Sequence, residues 1–278
     1  MTTTDVHTKA ETLPGTRPPG ATTEQEASAH VQGMFSGIAP TYDFLNHALT
    51  LNIDQYWRRK TALKFKSILA RPDARALDLC CGTGDLTFAL EKVRRQAGAP
   101  SSASASAEPQ IWHPVVGSDF AQPMLDRAQR KARNARSTSV FANADAMNMP
   151  FADATFDLVT SAFGFRNLVN YEAGLREIAR VLKPGGALGI LECTEPPTGL
   201  TAAMFRFYFR RILPVVGGAV SGNREAYTYL PTSVQHFFSR EGLAKLLKDV
   251  GYEDVESISW NFGSIILHCA RPPAIARR

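Results

Sequence analysis

From residue 76 onward, apolar runs of strand length alternate with amphipathic stretches. Ala76–Leu79, Trp112–Ser118, Ser139–Ala142, Phe156–Ser161 and Ala187–Glu192 are the apolar runs. Leu86–Arg95, Pro123–Arg133 and Tyr171–Leu182 carry apolar residues at helical spacing. Lys183-Pro184-Gly185-Gly186 stops the last of these. Strand–helix alternation predicts an α/β fold, with a doubly wound, mostly parallel sheet that takes its ligands at the carboxyl ends of the strands. Residues 31–70 read as helical, up to a break at Arg71-Pro72-Asp73. Ser239–Val250 reads as a further helix, and Val255–Trp260 with Ser264–Ala270 as a terminal strand pair.

Two segments break the pattern. Residues 1–29, rich in Thr, Pro, Gly, Ala and Glu, read as a disordered tail ahead of a single domain over 30–278. Residues 97–110, with Ser/Ala repeats at their centre, read as a flexible insertion between a helix and the next strand.

Composition narrows the function. A net charge of +5 with no Lys/Arg block gives no nucleic-acid stripe, but suits contact with anionic lipid. No apolar run approaches the roughly 18 residues of a membrane span. Cys80, Cys81, Cys193 and Cys269 form no C-x-x-C pair, so no metal centre is expected, and a reducing cytoplasm fits.

The most informative stretch is Ala76-Leu77-Asp78-Leu79-Cys80-Cys81-Gly82-Thr83-Gly84-Asp85-Leu86. A strand enters a glycine-bracketed turn and a helix follows at once, an arrangement that brings backbone close to a nucleotide-like ligand. The third glycine of a dinucleotide fingerprint is missing, which argues against a nicotinamide dehydrogenase. Asp78 before the turn suits a cationic ligand, and S-adenosylmethionine carries ammonium and sulfonium charges. Asp119, ending the second strand, falls where a carboxylate accepts both ribose hydroxyls. Thr83 sits at a helix N-terminus, where its N–H and hydroxyl suit the ligand's carboxylate. Asp145 is placed to accept from an adenine amino group, with the Ala146 N–H donating to a ring nitrogen. Cofactor contacts are therefore expected from Asp78, Gly82, Thr83, Gly84, Asp119, Asp145 and Ala146.

Two further clusters carry chemistry. Tyr42-Asp43-Phe44-Leu45-Asn46-His47, continuing to Trp57-Arg58, reads either as a capped helix with an aromatic anchor or as part of a binding site. Phe163-Gly164-Phe165-Arg166-Asn167 follows a strand and reads either as a structural loop or as the floor of a substrate site.

These segments, with Arg180–Gly186 running on to Glu192-Cys193-Thr194 and with Tyr227-Thr228-Tyr229-Leu230, resemble the ubiquinone/menaquinone-biosynthesis C-methyltransferases. The resemblance spans about Val31 to Pro272. The chain departs from it at Asp54, where histidine is usual, and at Ala162, where serine is common. It implies a class I, Rossmann-like methyltransferase with an N-terminal helical cap over 30–72 and a helical lid over 200–238. S-adenosylmethionine is the implied cofactor and a polyprenylated quinol the implied partner. The implied reaction methylates a quinol ring carbon. Arg166 and Asn167 would hold the quinol oxygens, and Asp43 or His47 would take the proton. Tyr42, Asn46, Phe163 and Tyr227 would line the acceptor site. Cys80-Cys81 resembles members that act on naphthoquinols alone, so demethylmenaquinol is the expected acceptor and a polyprenyl benzoquinol the alternative. Another small-molecule methyltransferase and a catalytically silent cofactor-binding subunit are the rival readings. Apolar and basic residues of the lid, including Phe205, Phe207, Tyr208, Phe209, Leu213, Arg206, Arg210 and Arg211, suit a prenyl tail and the inner membrane face. Nothing in the pattern sets an oligomeric state.

Overall fold

The computed structural model describes residues 15–18, 20–43, 47, 50, 52–98, 112–196, 199–208, 211 and 224–273, with backbone alone at 201 and 224–228. The 99–111 stretch, which holds most of the expected insertion, and Asn46, Phe209, Arg210 and Leu213 lie outside these residues. Of Tyr227, only its backbone place in a helix is described.

Seven strands form one sheet: β1 (Ala76–Leu79), β2 (Val115–Asp119), β3 (Val140–Asn143), β4 (Phe156–Ala162), β5 (Leu182–Cys193), β6 (Glu253–Trp260) and β7 (Ile265–Arg271). Their order is β3-β2-β1-β4-β5-β7-β6, with β1 to β5 mutually parallel and β7 antiparallel to both neighbours. Chain order reverses between β1 and β4, and the crevice beyond the carboxyl ends at that point is where such sheets bind ligands.

β1 is buried at every position, as a central strand covered on both faces must be. Its side chains alternate between two cores. Leu77 and Leu79 join Val159, Ile190, Phe165, Tyr171, Ile178 and Leu247 on one face. Ala76 joins Leu158, Leu191, Leu267, Trp57, Phe65 and Leu90 on the other. The helices of the described residues are α1 (Glu24–Ile38), α2 (Ile53–Lys64), α3 (Lys66–Leu69), α4 (Asp85–Gly98), α5 (Gln122–Ala135), α6 (Tyr171–Val181), α7 (Leu200–Phe207), α8 (Arg224–His236) and α9 (Arg240–Val250).

Of three features that bear on the sequence expectation, the first and third differ from it and the second agrees with it. First, α1 begins at Glu24, within the stretch read as a tail. A capping box fixes its start: Thr23 accepts from the Glu26 N–H, while the Glu26 carboxylate accepts from the Thr23 N–H. Ala27, Val31, Met34 and Ile38 bury its inner stripe. Upstream, the Thr16 N–H donates to the Leu168 carbonyl at 2.8 Å. Second, no helix joins β3 to β4. Residues 144–155 form turns, pinned by an Asp145–Asn148 bridge. Third, β5 starts at Leu182, and Lys183–Gly186 is carried inside it, where its register with β4 shifts.

Candidate active site

β1 delivers the chain into a tight turn and straight on into α4. Gly82 (φ +55°) and Gly84 (φ +90°) take left-handed conformations, and so does Cys80 (φ +54°). A non-glycine residue in that region costs on the order of 1–3 kcal/mol, and such strain collects at ligand clamps. A Cβ on Gly84 would lie 3.0 Å from Phe88 and 3.2 Å from Phe141. Any side chain there would push the aromatic wall behind the turn.

The turn is locked to the next strand through Asp119. Its Oδ2 accepts the Gly82 N–H at 2.8 Å, and its Oδ1 accepts the Ala121 N–H at 2.9 Å. Burial pushes the Asp119 carboxyl above its ordinary range, against the pull of these N–H donors. Each oxygen keeps a second acceptor site for a ligand hydroxyl. Asp78 is fully buried beneath the turn. Thr87 Oγ1 donates to its Oδ2 at 2.6 Å, while Oδ1 has no hydrogen-bond partner among the described residues. Burial raises the Asp78 carboxyl to about 7, opposed by the Thr87 bond and by Arg58.

Asp78, Gly82, Thr83, Asp119, Asp145 and Ala146 all line one cavity of about 930 Å³, counted with its open mouth. Gly84 stands behind this lining. Asp145 is solvent-exposed, and its Oδ1 accepts the Met147 N–H at 2.9 Å, which shapes the turn that presents Ala146. A cavity walled by Asp78, Asp85, Asp119 and Asp145, with one buried carboxylate oxygen unpartnered, fits a cationic adenosyl ligand and would repel a pyrophosphate.

Because the folded Asp78 carboxyl titrates above the unfolded value of about 3.9, its contribution to stability is full below that value and is lost as pH rises through about 7. Asp78→Asn removes this term. The melting temperature of the cofactor-free protein minus that of Asp78→Asn should therefore fall between about pH 5 and pH 8. Calorimetric scans across that range check it, and a difference that stays flat or rises would contradict the assignment.

A second, far more apolar cavity of about 1950 Å³, again counted with its mouth, opens beside the first. Trp57, Cys193, Met204, Phe205, Leu230, Val234 and Ile265 are among its walls. Tyr42, Arg58 and Phe163 line both cavities and so mark their junction. Phe163 is held at φ +60°, edge-on to Trp57, with the Arg58 guanidinium 5.2 Å above its ring. Gly164 follows with no room for a side chain, since a Cβ there would meet Cys80 Cβ at 2.4 Å.

The remaining expected residues divide. Asn167 lines the first cavity, and its Oδ1 accepts from Tyr229 OH at 3.2 Å. The same hydroxyl pairs with Thr16 Oγ1 at 2.8 Å, which ties the N-terminal segment, the 163–167 loop and α8 together. Arg166 lines only the apolar cavity and is buried against Glu192. Its Nη1 donates to Oε2 at 2.8 Å and its backbone N–H to Oε1 at 3.0 Å. Burial works to lower the Arg166 value, but Glu192 overcomes it and holds the guanidinium firmly charged. Asp43 lies outside both linings. It accepts from Thr83 Oγ1 and, at 3.2 Å, from Lys131 Nζ, which also sits 2.5 Å from Asp85. Burial would raise Asp85, but Arg58 and Lys131 together hold it below the usual carboxylate range. Asp43, His47 and Asp85 approach one another as metal ligands do, but Lys131 already supplies the positive charge there. His47 Nδ1 lies 3.1 Å from Asp54 Oδ2, and buried Asp54 also accepts from Thr50 and Arg58.

Arg58, Asp54, Glu192 and Thr16 were not singled out as site residues from the sequence. Arg58 left a signal there as the cation after Trp57, Asp54 as the position where histidine is usual, and Glu192 as part of a family segment, while Thr16 left none.

A mostly parallel sheet with a crevice at the β1/β4 reversal, a glycine turn braced by an acidic residue at the end of β2, and an acid-walled cavity there define a class I S-adenosylmethionine-dependent methyltransferase. Solved structures bear out the fold. A SAM-dependent methyltransferase from Aquifex aeolicus superposes with a TM-score of 0.52 at 18% identity, covering 77% of this chain and 89% of that one. A methyltransferase from Thermotoga maritima gives 0.54 at 16%, covering 87% and 100%. The particular family follows from the sequence matches: the chain belongs to the ubiE/COQ5 methyltransferase family, whose model matches residues 22–271. It is 44% identical to a demethylmenaquinone methyltransferase of Deinococcus radiodurans over 85% of this chain and 90% of that protein. A protein of the same name from Thermus thermophilus is also 44% identical, over 86% of this chain and all of its own length. The ubiquinone/menaquinone biosynthesis C-methyltransferase UbiE of Geobacter sulfurreducens is 40% identical over 86% of each.

Proposed function

We propose that this protein methylates a ring carbon of a polyprenylated quinol, with demethylmenaquinol the acceptor. The observation that carries the reading is the junction of two unlike cavities, one acid-walled and the other large and apolar, at Tyr42, Arg58 and Phe163. An aromatic head group at that junction with its isoprenoid chain in the apolar cavity satisfies both. The relatives named for demethylmenaquinone favour a naphthoquinol over a benzoquinol.

When bound, S-adenosylmethionine supplies an electrophilic methyl group. Asp119, Asp145 and the N–H groups of Thr83 and Ala146 would hold it, and Asp78 would lie beneath. The chain's own task is to align the acceptor and make its ring electron-rich, and alignment alone supplies much of the rate gain in such reactions. Asn167, its carbonyl taken by Tyr229, keeps its amide N–H groups for an acceptor oxygen. Arg166 adds positive potential from below, fixed in place by Glu192. Loss of a hydroxyl proton raises electron density at the ring carbon. Asp54 lines the acceptor cavity and hydrogen-bonds His47, which connects His47 better than Asp43 to the departing proton. Once the ring carbon carries the methyl group, loss of its own proton restores aromaticity.

Anaerobic incubation with cofactor and demethylmenaquinol, followed by mass spectrometry, should yield the C-methylated quinol. Bound cofactor with no methylated product from either a naphthoquinol or a benzoquinol would refute the reading.

Peripheral membrane contact belongs to the same proposal. Among the described residues no helix is long and apolar enough to cross a membrane. Leu200, Met204 and Phe207 are exposed along α7, and Phe262 and Ile53 are exposed beside them at the apolar cavity, which Met204, Phe262 and Ile53 line. Such a rim suits insertion at a bilayer surface that holds the acceptor. The protein is expected to co-sediment with phosphatidylglycerol vesicles. Combined serine substitution of Leu200, Met204, Phe207 and Phe262 should abolish this, and equal sedimentation of the two proteins would count against a membrane-facing mouth.

A further inference from the structure

We propose that Arg58 is the cation that holds the acceptor's ionised oxygen at the junction of the two cavities, with Asp54 as its positioning residue. This rests on the quinol reading above. Among the described residues two arginines border the apolar cavity, and of these Arg58 alone also borders the cofactor cavity. A ring whose carbon must face the cofactor pocket therefore meets Arg58 at the point of transfer.

The state of the two guanidinium groups points the same way. Arg166 is answered twice by Glu192, through its side chain and its backbone, and Nη1 also donates to the Phe163 carbonyl. Arg58 is buried as deeply, with its side chain 7% exposed. Among the described residues, however, Asp54 alone hydrogen-bonds it, through Nη1. A guanidinium carries five N–H donors in a fixed fork, and buried donors require acceptors. Nε and Nη2 are absent from the sealed, partnerless atoms and so reach cavity space. An oxygen anion arriving there would complete the fork.

Orientation is fixed from two sides. Asp54, one helical turn before Arg58 on α2, pulls Nη1, and the Phe163 face supports the planar group at 5.2 Å. Asp54 is itself held by Thr50 and His47. The other charges facing Arg58 are Asp78 and Asp85 at the β1–α4 turn. Arg166, whose Nη1 donates to the Phe163 carbonyl, shares the apolar cavity with it. A cation beside a phenolic oxygen favours its ionised form, the form whose ring carbon is nucleophilic.

The test titrates 1-naphthol bound to the full chain saturated with S-adenosylhomocysteine, with naphtholate read by its absorbance. In the wild type, bound naphthol should ionise at least about one pH unit below free naphthol. Arg58→Lys should keep most of that shift and Arg58→Gln should lose it. Identical titration in wild type and Arg58→Gln would overturn the proposal. Should Arg58→Gln fail to bind S-adenosylhomocysteine, Arg58→Lys decides by steady-state kinetics. Lysine keeps the charge but not the fork, so kcat/KM for the quinol should fall by about tenfold with S-adenosylhomocysteine affinity unchanged. An unchanged kcat/KM would overturn the proposal equally. Wild-type protein that binds S-adenosylhomocysteine but neither binds naphthol nor methylates any quinol would instead remove the quinol reading itself.

Discussion

Replacing Asp119 by alanine is expected to weaken S-adenosylmethionine binding by about a hundredfold or more. The carboxylate has two tasks at once. It accepts the Gly82 and Ala121 N–H groups, which fixes the glycine turn against the end of β2, and it faces the cofactor cavity. Alanine leaves both backbone donors without acceptors, at on the order of 1–3 kcal/mol for each that stays buried. It also removes the charge-assisted bonds that Asp119 is proposed to make to the ligand, and such bonds are roughly twice as strong as neutral ones. With tenfold in affinity for every 1.4 kcal/mol or so, two orders of magnitude is a modest sum of these effects. Asp119→Asn, with one acceptor oxygen left, should fall in between. Titration calorimetry on the three proteins checks the order. An alanine variant that binds as tightly as the wild type would reduce Asp119 to a brace for the turn.

How far the chain could be read without coordinates follows from the range of its interactions. The β1–turn–α4 unit was legible because apolar run, glycines and helix are contiguous, and Asp119 and Asp145 were legible because each ends or follows a strand. Periodicity alone placed β1, β2, β4 and the terminal strand pair to within a few residues. What stayed hidden depends on partners distant in sequence. Thr16 meets Tyr229 across 213 positions, and Arg166 meets Glu192 across 26. Neither pairing leaves a local pattern. The Asp54–Arg58 pair is a local i,i+4 spacing, but many exposed helices show it, and only burial at the cavity junction gives it meaning. The start of α1 was readable in principle from Thr23-x-x-Glu26, but the surrounding Thr, Pro and Gly masked it.

Glu192→Ala is expected to destabilise the fold by about 3–5 kcal/mol, the cost of stranding one member of a buried ion pair. Glu192 is 1% exposed, and its two oxygens take the Arg166 side chain and backbone, while Tyr171 OH holds the Arg166 carbonyl. Without Glu192 a buried guanidinium loses its counter-charge and the 165–167 turn loses an anchor. At roughly 2–4 °C per kcal/mol for a domain of this size, the melting temperature should drop by about ten degrees. The pair is not expected to be worth that much as a source of stability. Burying two charges costs nearly what their attraction returns, so Arg166→Met combined with Glu192→Leu should recover most of the loss. Turnover separates the two roles. If Arg166 supplies potential to the acceptor, the stable double variant will bind S-adenosylmethionine normally and methylate quinol at a small fraction of the wild-type rate. A double variant that is both stable and fully active would make the pair a structural device alone and leave Arg58 as the cation at the acceptor oxygen.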